Sequence, residues 1–88
     1  MASTYLSSSD KPVLVTTSDD DLLEYNSEIK KCKAISIEVA GDLAIANSEG
    51  TKVVLPAATL TVGVMHPIST EQIYATGTTA TGIVAWFD

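Results

Sequence analysis

From Ala34 onward the chain alternates, and that alternation limits its fold more than any other feature. Ile35, Ile37 and Val39 are separated by Ala34, Ser36 and Glu38. A period of two sends one set of side chains to a buried face and the other to solvent, as in a half-buried strand. Leu43 and Ile45 resume the pattern after Ala40-Gly41-Asp42, a turn-forming triplet in which Gly41 is free to take a positive φ. Residues 34–47 are therefore expected to form a hairpin. Asn47-Ser48-Glu49-Gly50 marks a second turn. Residues 52–55 follow as a third strand, which Pro56 ends by removing a ladder donor.

The rest of the chain supplies more short strands. Residues 13–17 are β-branched except for Leu14. Leu60, Val62 and Val64 alternate with Thr59, Thr61 and Gly63, so residues 59–65 are expected to be extended until His66-Pro67 bends them. Residues 71–75 read as another strand. Two glycines and several threonines in residues 76–82 read as a hairpin turn whose hydroxyls satisfy backbone groups locally. Residues 83–87 close the chain as a buried strand. Six to seven short strands at this spacing, with no 3.6-residue period sustained over three turns, predict an all-β fold: a small antiparallel β-sandwich or barrel.

Residues 1–12 form a polar, Ser-rich arm, and residues 13–88 a single β domain. The arm is either a frayed terminus or a segment that orders against a neighbouring subunit, with Tyr5 and Leu6 as anchors. Ser18-Asp19-Asp20-Asp21 fits a solvated loop, or one helical turn with Ser18 and Asp21 as a capping-box variant. It lacks the alternating ligands, glycine and late Glu of a calcium loop.

Five Lys and no Arg face eleven carboxylates, for a net charge of −6. Phosphate contacts need cations in excess, so nucleic acid is excluded as a partner. No apolar run approaches the ~20 residues of a membrane-spanning helix. The first ten residues lack a cationic start followed by an apolar stretch, so a membrane-free protein used without secretion is expected. Cys32 is the lone cysteine and cannot form an internal disulfide.

Chemistry-bearing patterns are absent. There is no GxxxxGK[ST], GxGxxG or HExxH, and the Gly77–Gly82 stretch has no lysine. His66 is the sole imidazole and reads as a packing residue at a bend rather than a base. No catalytic, cofactor-binding or metal-binding residue is assigned, and an enzyme is not expected. Candidate contact residues remain. Lys31 and Lys33 belong to the basic cluster 30–33, either a charged edge that deters strand pairing or a docking patch for carboxylates. Trp86 and Phe87 are adjacent, so one enters the core and the other is left for a second layer or a partner. Tyr25 and Tyr74, if exposed, would suit a small carbohydrate-binding β module.

Several blocks resemble the small head-spike base proteins of gene transfer agents and related tailed phages. They are Cys32-Lys33-Ala34-Ile35, Ala40-Gly41-Asp42-Leu43-Ala44, Val53-Val54-Leu55-Pro56, Val62-Gly63-Val64 and, most specifically, Ile73-Tyr74-Ala75-Thr76-Gly77-Thr78-Thr79-Ala80-Thr81-Gly82-Ile83-Val84-Ala85. Relatives tend to carry basic residues before that last block, whereas Met65 to Gln72 contains no Arg. The resemblance implies a non-enzymatic structural virion protein, made in the host cytoplasm and placed on the capsid exterior as a head-decoration, cement or spike-base subunit. Its implied partners are the major capsid protein or other virion subunits, further copies of itself as a homo-oligomer, and a spike or fibre protein. A tail or neck connector is the alternative within the same particle. Tyr5, Leu6, Lys31, Lys33, Tyr74, Trp86 and Phe87 are the residues expected at such interfaces.

Overall fold

The computed structural model describes residues 10–88. The fold is all-β, with seven short strands in three small antiparallel sheets. β1 (Lys11–Leu14), β7 (Val84–Phe87) and β4 (Ala34–Ser36) form the largest sheet, with β7 in the centre. β2 (Glu24–Tyr25) and β3 (Glu28–Ile29) form one ribbon, and β5 (Leu43–Ala46) and β6 (Lys52–Leu55) another. The expected class is thus observed.

The first and last strands of the chain pair with each other. Lys11 lies opposite Phe87 and Leu14 opposite Val84, so β1 starts two residues earlier than the alternation at Val13 suggests. β7 then receives β4 on its other side, with Ala34 opposite Trp86 and Ser36 opposite Val84. The hairpin expected over residues 34–47 does not form, because β4 pairs with β7 and β5 with β6. Gly41 is needed for a different reason than a left-handed turn. A Cβ there would collide with the backbone of Thr79 and Ala80, 2.6 Å from the Thr79 carbonyl carbon. Close approach of two chain segments, not turn chemistry, selects glycine.

The β5–β6 hairpin is as expected. The Asn47 side-chain oxygen accepts the N–H groups of Glu49 and Thr51 at 2.9 and 3.0 Å, and Gly50 sits at φ +81°. The β2–β3 hairpin was not visible in the alternation. Its two-residue loop, Asn26-Ser27, has φ values of 54° and 67°, the type I′ geometry whose twist suits a hairpin. Asn tolerates that region, but the usual Gly at the second position is missing, which hides the signal.

Residues 59–65 are not a strand. Ala57–Thr59 form one 3-10 turn, and Val62 and Val64 are 46% exposed instead of facing a core. Leu60 alone is buried from that alternating set. His66 does not interrupt a strand but extends the main sheet: it exchanges two backbone bonds with Ile35, at 2.9 and 2.8 Å. Residues 71–75 do not form the expected strand but an isolated bridge with bends at Glu71 and Ala75, set between β5 and the loop after β1. Ile73 bridges Ile45, the Tyr74 N–H donates to Ala44, and the Ile73 carbonyl accepts the Ser18 N–H.

The core lies where the main sheet meets the β5–β6 ribbon. Ile35, Ala85 and Phe87 from the sheet join Leu43, Ile45, Ile73 and Ile83 in one cluster. Burial of each such aliphatic or aromatic side chain contributes about 1.5–3 kcal/mol. Buried polar groups are partnered: the Thr70 hydroxyl donates to the Ala46 carbonyl at 2.7 Å, and the Gln72 amide donates to the Ser18 carbonyl at 3.2 Å.

Candidate assembly surface

The strand register divides the main sheet into two faces. Val13, Ala85 and Ile35 are paired across the three strands and point inward with Phe87. Pro12, Trp86 and Ala34 form one row on the other face, and Leu14, Val84 and Ser36 a second. Ala34 is fully buried on that face, but toward β1 the face is apolar and open among the described residues. Leu14 is 73% exposed, Pro12 is exposed, and Val84 and Trp86 are half-buried. The Trp86 Nε1–H donates to the Ser36 hydroxyl at 3.1 Å, which lays the indole toward β4 and leaves Leu14 standing free on the β1 side.

Beside the Leu14 row the face deepens into a groove of about 430 Å³, whose walls include Leu14, Ser36, Ile37, Val62, Gly63 and Val84. Glu38 is the one carboxylate among the lining residues. The Val62-Gly63 wall is held by one backbone and one side-chain hydrogen bond. The Gly63 N–H donates to the Ile37 carbonyl at 3.1 Å, and the Thr61 N–H donates to His66 Nε2 at 2.9 Å. His66 is therefore a turn-fixing residue.

Both edges of the sheet are blunted. The Val15 N–H donates to the Ile83 carbonyl at 2.9 Å, so by alternation Lys11 and Val13 bond to β7 while Pro12 and Leu14 turn their backbone outward. Pro12 has no N–H to offer there, a common device against strand addition. On the other edge His66 takes the Ile35 groups. The edges of this sheet are thus poorly suited to strand addition, and its open face is the better candidate for a contact.

The contact residues expected from sequence separate widely. Trp86 is on the outer face, but Phe87 is 1% exposed in the core, with its ring 5.4 Å from Tyr25. Phe87 is therefore removed from the candidate interface: odd register positions of β7 point inward. Lys33 is drawn to the end of the sheet, where its ammonium pairs with the Asp88 carboxylate at 3.4 Å, and Lys31 is exposed. Tyr74 is half-buried, with the Lys52 ammonium 5.1 Å over its ring. Tyr25 is half-buried too, so neither tyrosine is the freely exposed platform a sugar site would use. Tyr5 and Leu6 lie outside the described residues. Leu14 and Val84 were not singled out from sequence; their places in an alternating strand look like ordinary core positions, and only the register shows otherwise.

The Thr-rich block is a structural clasp rather than a hairpin turn. The Asp42 N–H donates to Thr79 Oγ1 at 2.8 Å and the Ala44 N–H to Thr78 Oγ1 at 2.9 Å. Thr79 and Ala80 N–H groups return to the Asp42 carbonyl. These hydroxyls serve a segment more than thirty residues away, not their own loop. Thr76 reaches in the other direction: its N–H and hydroxyl donate to the Asp19 carboxylate at 2.9 and 2.6 Å. The hydroxyl bond first, then the N–H bond, holds the Asp19 carboxyl below its ordinary pKa. Ser18 Oγ meanwhile accepts the N–H groups of Asp20 and Asp21, so the acidic run is a closed loop and not a helix. Cys32 is buried, which pushes its thiol pKa up, and its Sγ rests 3.4 Å from the Ile68 carbonyl. A thiol held protonated in this way is a poor nucleophile. Among the described residues, no three His, Cys, Asp or Glu side chains stand together as a metal site.

The chain is similar to a chain in the solved structure described as the capsid of a native gene transfer agent particle computed with C5 symmetry. The two share 27% sequence identity, with 97% of this chain and 90% of that chain covered, at a TM-score of 0.74. No protein-family model and no curated protein matches the sequence.

Proposed function

We propose that this protein is a structural subunit of a tailed-phage-type particle that docks on the outside of the capsid as a head-decoration or spike-base subunit. The observation that carries this reading is the likeness to the gene transfer agent capsid chain, which spans nearly the whole molecule in both fold and sequence. The chain's own features agree with it. An apolar sheet face left open among the described residues suits a docking module. The −6 charge suits an external position away from packaged nucleic acid. The function proposed is accordingly one of contact rather than turnover.

The test is assembly. Purified protein is mixed with particles from a strain lacking it and sedimented through a gradient. Retention on the heads supports the reading, and loss of retention in Leu14→Lys locates the contact on the outer face. Free protein at the top of every gradient refutes it. Copy number then fixes the locus: hundreds indicate shell cement, a few tens a vertex base, and about a dozen or fewer a neck or tail part.

A further inference from the structure

We infer that the groove beside the Leu14 row is a seat for an arginine side chain carried by a different protein, with its hydrocarbon stem along Leu14, Val62 and Val84 and its guanidinium on Glu38. The inference rests on the proposed docking role and names the chemistry that the partner presents to that face.

The strand register builds the seat. Ser36 lies opposite Val84 and Val39 bridges Thr81, so one register runs past the end of the sheet and sets Glu38 opposite Gly82. Both are two residues on from the Ser36–Val84 pair and belong to the same outer face. Glycine leaves its place in that row empty. A Cβ at residue 82 would collide with the Glu38 side chain, 2.7 Å from Oε1, and Gly82 sits at φ +65°. The Glu38 carboxylate therefore lies over the glycine, at the end of a trough whose Leu14 and Val62 walls are 73% and 46% exposed.

Charge decides what fits. Glu38 is the single charged group in the lining, and among the described residues it has no ion-pair partner. A groove of about 430 Å³, apolar along its walls and ending in one carboxylate, complements a side chain that is hydrocarbon along its stem and cationic at its tip. The step from the Val84 row to the Gly82 row is about 7 Å, roughly the reach of such a stem. Arginine suits the place better than lysine. Its guanidinium is more weakly hydrated and turns two N–H groups toward one carboxylate. This chain contains no arginine, so the occupant belongs to another protein. Four of its five lysines are engaged within the chain: Lys11 with Asp10, Lys30 and Lys33 with Asp88, and Lys52 over the Tyr74 ring. A second copy is thus the poorer occupant. The −6 charge also steers a basic partner toward the molecule.

The experiment titrates the isotopically labelled full chain with n-butylguanidinium, n-butylammonium and neutral n-butylurea, and follows backbone amide signals by NMR. The expected result is saturable movement of the Ser36, Glu38, Gly63, Gly82 and Val84 signals with butylguanidinium. Butylurea should bind about two- to fivefold more weakly, and Glu38→Gln should erase that difference. Absence of saturable movement overturns the inference, since a groove already filled by the chain itself or by a second copy would give that result. Equal binding of butylurea to the parent overturns it too, as does a guanidinium preference that survives Glu38→Gln. Tighter binding of butylammonium than of butylguanidinium overturns the choice of arginine. No particle enters these titrations, so their failure leaves the capsid-docking reading standing. Undiminished retention of Glu38→Arg on particles that hold the parent overturns the arginine seat while supporting that reading.

Discussion

The inner and outer faces of the β1–β7–β4 sheet are built from the same three strands and from residues of similar hydrophobicity, yet they meet different fates. Val13, Ile35, Ala85 and Phe87 are covered by β5, Ile73 and Ile83. Pro12, Leu14, Val84 and Trp86 find no such layer among the described residues. The chain has enough large side chains for one core, and after that core is filled a second apolar surface is left over. A short domain buries only about 60% of its unfolded surface, so leftover apolar area is expected; its gathering on one face is what points to a partner. The inner face is a stability element, and the outer face is the contact element of the proposed docking role.

Substitutions on the two faces should therefore separate stability from assembly. The largest stability effect is expected for Phe87→Ala, which leaves a cavity at the centre of the inner face and costs about 3–5 kcal/mol. In a domain of this size that is enough to abolish cooperative thermal unfolding seen by circular dichroism. If Phe87→Ala melted like the parent, the inner face would not be the core. Gly41→Ala comes next, at about 1–3 kcal/mol, because its Cβ has nowhere to go against Thr79 and Ala80. Chemical denaturation should show the loss, and a wild-type midpoint would mean the Thr-rich clasp is looser than its hydrogen bonds indicate. Thr78→Val should cost about 1–2 kcal/mol by leaving the Ala44 N–H without its acceptor, while Thr81→Val, whose hydroxyl makes no such bond to β5, serves as control.

Leu14→Lys inverts the pattern. It should alter stability by no more than about 0.5 kcal/mol, since the side chain is already in water, while removing retention on particles. A large stability loss would show that Leu14 is covered within the chain. The smallest effect concerns Asp19. Its carboxyl has a lower pKa folded than unfolded, so its stabilising bond to Thr76 is fully present above the ordinary value of 3.8 and is lost as pH falls through the folded value. Melting temperatures below about pH 4 should thus fall slightly more in the parent than in Asp19→Asn, with no difference in that slope near neutrality. Equal acid sensitivity would show that the Asp19–Thr76 contact does not persist in solution.

Some of this was legible in the order of residues. Alternation at Ile35, Ile37, Leu43 and Ile45 marked buried positions correctly, although Val39 of the same set is 51% exposed, and Asn47 to Gly50 marked its turn, because such signals are set by local geometry. The alternation at Val62 and Val64 misled, since a period of two records compatibility with a strand and not the presence of a neighbour to pair with. The Trp86-Phe87 pair showed that one ring had to leave the core without showing which. The threonines of residues 76–81 stood out as a block, but their bonding to Asp42 and Ala44 was hidden, as was the reason for Gly41.

The sequence by itself determined that short extended segments would fold around one small apolar core, for those preferences reside in neighbouring residues and their spacing. Only the tertiary structure decided that the two ends of the chain pair, that Phe87 is inside, and that Leu14 and Trp86 share an open face. Strand partners are chosen by contacts between residues far apart in the chain, and shifting a register by one position would exchange the two faces of the sheet.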